Sequence, residues 1–69
     1  MPEVKSAREA THVALSFIRK HRSFARPLKA FREGDIWFVE IDVGTFLTAI
    51  AKVEVDAKSA EILKYTIPG

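Results

Sequence analysis

Residues 34–67, GDIWFVEIDVGTFLTAIAKVEVDAKSAEILKYTI, decide the fold. In Ile36–Val43 the odd positions Trp37, Val39, Ile41 and Val43 are all apolar, while the even set ends in Glu40 and Asp42. Thr45–Val55 repeats the pattern, with Leu47, Ala49, Ala51, Val53 and Val55 set against Lys52 and Glu54. Glu61–Ile67 sets Leu63, Tyr65 and Ile67 against Ile62, Lys64 and Thr66. Alternation with period two marks half-buried strands, and the breaks at Gly34, Gly44 and Asp56–Ala60 mark the turns between them. A slip of one residue would turn every side chain over, so the pattern constrains the register. A short loop at Val43–Thr45 pairs Ile41 with Leu47, Val39 with Ala49 and Trp37 with Ala51. A loop at Asp56–Ala60 pairs Val53 with Leu63 and Ala51 with Tyr65. That register sets Lys52 opposite Lys64, a mildly unfavourable like-charge pair.

Upstream, Ser6 and Glu9 form an S-x-x-E capping box that opens a helix. Ala7, Ala10, Val13, Ala14, Phe17, Ile18 and His21 then recur at three- and four-residue spacing, one apolar side of a helix reaching about residue 21. Leu15 lies at the margin of that stripe. Pro27 donates no backbone hydrogen bond, so Pro27–Glu33 reads as a strand at a sheet edge. The register of that strand is open, because Leu28 and Ala30 favour one face and Phe31 the other. The fold class is therefore α+β: residues 1–69 as one domain, a single N-terminal helix on a three- to four-stranded antiparallel β-meander. Trp37, Ala49, Ala51, Val53, Leu63 and Tyr65 form the expected core beneath Phe17.

The chain has 69 residues, 48% apolar and 29% charged, with no cysteine. That composition is globular and excludes disulfides, thiolate metal sites and a cysteine nucleophile. Residues 1–32 carry eight Lys and Arg against two Glu, giving +6; residues 33–69 carry three Lys against seven Asp and Glu, giving −4. Such a division fits an anionic partner for the basic half, two faces of a homodimer, or a solvated helix beside a solvated sheet. No apolar run near the start has the length of a signal peptide or membrane span, so a cytoplasmic protein is the simplest expectation. A fragment of a longer exported chain would look the same.

The even face of the sheet gathers Ile36, Phe38, Phe46, Ile50 and Ile62, ringed by Glu40, Asp42, Thr48, Lys52, Glu54, Lys64 and Thr66. A contiguous apolar patch rimmed by charge marks an interaction surface, here expected to centre on Phe38 and Ile50 and to meet another protein or a second copy. The second candidate is the run RKHRSFARPLKAFR, with Arg19, Lys20, Arg22, Arg26, Lys29 and Arg32 interleaved with Phe24 and Phe31. It suits a nucleic acid or other polyanion, although it matches no nucleic-acid motif. His12 and His21 lie nine residues apart on different sides of the helix, without the interleaved ligands a metal site needs. Glu40, Asp42, Glu54 and Asp56 read as surface charges, and no nucleophile elbow or glycine-rich phosphate loop is present. These features point to a non-catalytic role with no cofactor.

Trp37-Phe38-Val39, Val53-Glu54-Val55-Asp56-Ala57 and Lys58-Ser59-Ala60-Glu61-Ile62-Leu63 together resemble the PepSY family of small domains. That family has a W-x-V strand and a V-D-A-x-T-G-E-I-L phrase. Ser59-Ala60 stands where the family has Thr-Gly, which implies a turn built differently, around the Asp56 side chain. The resemblance implies a cystatin-like helix across an antiparallel sheet, and a kinship with peptidase propeptides and extracytoplasmic or membrane-linked regulatory proteins. It brings no catalytic residues.

Overall fold

The computed structural model describes residues 3–68. Its elements are helix α1 (Ala7–Ile18) and strands β1 (Arg26–Glu33), β2 (Ile36–Asp42), β3 (Ile50–Asp56) and β4 (Ile62–Thr66). The strands form one antiparallel sheet in the order β1-β2-β3-β4, with α1 laid across one face. The α+β helix-on-meander expected from the periodicity is the fold.

Ser6 caps the helix, its Oγ accepting from the Glu9 amide at 3.2 Å, while Glu9 Oε1 reaches one residue further back to the Lys5 amide at 2.7 Å. Ala10, Ala14 and Ile18 are fully buried and Val13, Leu15 and Phe17 pack beside them. Two alanines on the buried stripe let the helix backbone lie close on the sheet. The helix ends three residues earlier than its apolar stripe, because Lys20 and His21 donate to Phe17 and Ile18 at 3₁₀ spacing. His21 is consequently exposed, with its ring packed on Phe17 and Tyr65 at centroid distances of 5.0 and 6.1 Å.

Opposite the helix, Trp37, Val39, Ile41, Ala51, Val53 and Val55 fill the core. Trp37 Nε1 donates to the Val4 carbonyl at 2.8 Å, and the Val4 amide donates to Ala57, which seals the segment before the helix over one end of the sheet. β1 is an edge strand, with a bulge at Leu28 that places Ala30 opposite Val39 on the core side and Phe31 opposite Phe38 on the outer side.

The register differs from the expected one. Ile41 pairs with Ala51, Val39 with Val53 and Trp37 with Val55. The shift is four residues, which period-two alternation cannot detect, because every even shift keeps the odd positions on the inner face. The longer connection sets Glu40 opposite Lys52, and a separate shift of two residues between β3 and β4, with Val53 opposite Tyr65 instead of Leu63, sets Glu54 opposite Lys64. Lys52 lies opposite Thr66, so the Lys52–Lys64 conflict disappears. A consequence is that β3 begins at Ile50, and Phe46 and Leu47 belong to no strand. At the other end a bulge at Leu63 sets Ile62 opposite Val55, so Ile62 packs against the core instead of joining the outer face. Leu63 and Tyr65, expected inside, are each 50% exposed on the edge strand β4.

The β3–β4 turn is built around Asp56, as the missing glycine implied. Its Oδ1 accepts from the Lys58 amide at 2.9 Å, and its carbonyl accepts from the Ala60 amide at 2.8 Å. Ala60 itself adopts φ 66°, a left-handed conformation that costs an L-residue roughly 1–2 kcal/mol. Ala60→Gly should therefore stabilise the chain by about 0.5–1 kcal/mol after the extra flexibility of the unfolded glycine is deducted. A raised denaturation midpoint checks this.

Candidate functional site

Helix α1 starts beside the Ala57–Glu61 turn, where the Val4 amide meets the Ala57 carbonyl, and runs to the opposite end of the sheet. There the connection 19–25, the start of β1, the loop 43–49 and the segment after β4 converge. Arg22 Nη2 donates to the Pro68 carbonyl at 2.8 Å, and Arg26 Nη2 meets Asp42 Oδ2 at 3.0 Å. Four segments of the chain are thus tied at one end.

The Asp42 carboxylate organises the loop. Its Oδ1 accepts from the Gly44 amide at 2.9 Å and the Ala49 amide at 3.3 Å, so one buried oxygen holds both stems. The Val43 amide closes the neck on the Ala49 carbonyl at 2.8 Å. Gly44 lies so close to the backbone of Leu47 that a Cβ there would overlap the Leu47 carbonyl. The loop folds back on its own stem and turns Phe46 and Leu47 outward. They are 99% and 83% exposed, the most exposed large apolar side chains among the described residues. Phe24 is exposed on the adjoining connection.

Hydrogen bonds from Gly44, Ala49 and Arg26 hold the Asp42 carboxyl below its ordinary value of 3.8, against an opposing effect of burial. The Lys58 amide does the same for Asp56. A depressed carboxylate contributes stability that is present above its unfolded value and is lost as pH falls through the folded one. The stability these two carboxylates contribute should therefore be present above about pH 5 and be lost as pH drops below about 3.8, read as a falling denaturation midpoint. Asp42→Asn should lose stability at neutral pH and show a shallower acid decline.

The outer sheet face is divided. Phe38 lies opposite Glu54 and stacks on Phe31 at 5.3 Å, while Ile50 lies opposite Asp42, four residues or about 13 Å along the strand. Ile36 joins Phe31 and Phe38, Ile62 is on the core side, and Phe46 is on the loop. The basic run is divided as well. Arg19, Lys20, Arg22 and Arg26 gather at the loop end. Lys29 Nζ lies mid-strand, 3.9 Å from Glu40 Oε2, and Arg32 is held at the far end by the Gly34 carbonyl and Asp35. Sequence reasoning missed Leu47, assigned to the core by parity, and Asp42, taken as a surface charge. An Asp two residues before a glycine is an Asx-turn signal that could have located the clamp.

Among the described residues no group of three or more His, Cys, Asp or Glu is gathered as for a metal ion, and no helix is long and apolar enough to cross a membrane. No family model, curated protein or solved structure matches this chain.

Proposed function

We propose that this chain is a small non-catalytic interaction module whose contact surface is the end of the sheet carrying Phe46 and Leu47. One observation carries the reading: two large apolar side chains stand almost fully in solvent on a loop that a buried carboxylate holds in place. Leaving a Phe and a Leu uncovered forgoes roughly 1.5–3 kcal/mol each, which a partner surface would recover. Fixing the loop beforehand also lowers the ordering cost of binding. A PepSY-like kinship belongs to the same proposal and rests on the Trp37 and Asp56–Leu63 residues.

A photo-reactive phenylalanine analogue at position 46, compared with one at the exposed helix position 16, tests the reading in cells expressing the chain. Adducts of defined mass from position 46 and none from 16 are expected. Equal patterns from both positions, or none from 46, would dismiss it.

A second reading draws on the stacked Phe31–Phe38 pair, with Ile36 beside it, as the centre of a contact between two copies through the sheet face. Glu40, Lys52, Glu54 and Lys64 surround the pair in matched cross-strand partners, an arrangement equally at home in water. The loop end therefore takes precedence.

A further inference from the structure

We propose that the Phe46–Leu47 loop and the basic residues around it dock this chain onto an anionic lipid surface, an occupant that rests on the reading of this end as the contact surface. Three observations point the same way. Phe46 and Leu47 project from a turn whose backbone is folded on itself. A protruding apolar tip suits a fluid interface that can close around it, as aromatic and aliphatic side chains do at the headgroup boundary.

The second observation is the sign of the charge. Arg19, Lys20, Arg22 and Arg26 converge on this end. The carboxylate nearest the loop, Asp42, is buried and paired to Arg26, whose own side chain stays 65% exposed. Cations near a bilayer surface with anionic headgroups strengthen binding by about five-fold each.

The third is the distribution over the whole molecule. Glu33, Asp35, Asp56 and Glu61 lie at the turns of the opposite end, where the Ala57 amide donates to the Asp35 carbonyl at 2.8 Å. Arg32 and Lys58 both pair with Asp35 at that end, which is therefore only weakly acidic, and an anionic surface favours the loop end over it. A nucleic acid would use the same cations but gains little from a leucine at the tip, since stacking on bases requires aromatic faces.

Co-sedimentation with sucrose-loaded vesicles tests this, using pure phosphatidylcholine and an equal mixture of phosphatidylcholine and phosphatidylglycerol. The chain should pellet with the mixed vesicles, poorly with the neutral ones, and less as salt is added. F46S/L47S lies outside the core, keeps its circular-dichroism spectrum, and should bind roughly a hundred-fold more weakly. R19Q/K20Q should lose roughly twenty-five-fold, two cations' worth. Equal pelleting with neutral vesicles, or undiminished binding by F46S/L47S, would overturn the proposal. So would failure to pellet alongside retention by heparin or single-stranded RNA. If position 46 yields protein adducts in cells and no vesicle binding is seen, the lipid assignment fails while the contact surface stands. If neither is seen, both fail.

Discussion

Ile41→Ala should bring the chain close to its unfolding threshold, while Leu47→Ala should leave its stability unchanged. Ile41 is fully buried in a central strand, in one core with Ile18, Val39 and Val53. Removing its side chain leaves a cavity that costs about 2–5 kcal/mol. A chain of 69 residues has roughly 3–10 kcal/mol of stability in all, so the variant would be largely unfolded at moderate denaturant. Leu47 carries the same number of carbons and occupies the same parity in the sequence. It is exposed, and its truncation should stay within about 0.5 kcal/mol. Urea titrations of the two variants separate the possibilities. A comparable loss in both would put Leu47 back in the core and remove the projecting loop.

Gly44→Ala should cost about 2–3 kcal/mol, though it adds only a methyl group at a half-buried position. The new Cβ would overlap the Leu47 carbonyl and lie 2.9 Å from the Ala49 nitrogen, and both are backbone atoms that cannot rotate away. The loop must open, which takes the Gly44 and Ala49 amides off the Asp42 carboxylate. Gly34→Ala makes the comparison. Gly34 has φ 61° but open space around it, so only the roughly 1–2 kcal/mol of a left-handed residue is at stake. A thermal midpoint lower for Gly44→Ala than for Gly34→Ala is expected. The reverse order would mean that the 43–49 loop is loose.

The sheet was legible where its information is local. Period two assigned Trp37, Val39, Ile41, Ala51, Val53 and Val55 to one face, and the capping box located the helix start at Ser6. The register was not legible from that pattern, because alternation is unchanged by a shift of four. What selects among even shifts is pairwise: Glu40 with Lys52, Glu54 with Lys64, and the Asp42 carboxylate with two amides across the loop. The bulge at Leu63, which moved Ile62 inward, has no periodic signature at all. The candidate site suffered most from this. Phe46 was chosen as a surface residue on the sheet, and Leu47 beside it as a core residue. Both assumed a strand where the chain makes a clamped loop.

The projecting loop depends on one pairing, Val39 opposite Val53. Cross-strand proton contacts in the nuclear Overhauser spectrum of the isotope-labelled chain read it directly. Contacts joining Val39 to Val53 and Ile41 to Ala51, with none reaching Phe46 or Leu47 from β2, are the expected result. Contacts joining Val39 to Ala49 and Ile41 to Leu47 would contradict it, and would return residues 45–49 to the sheet.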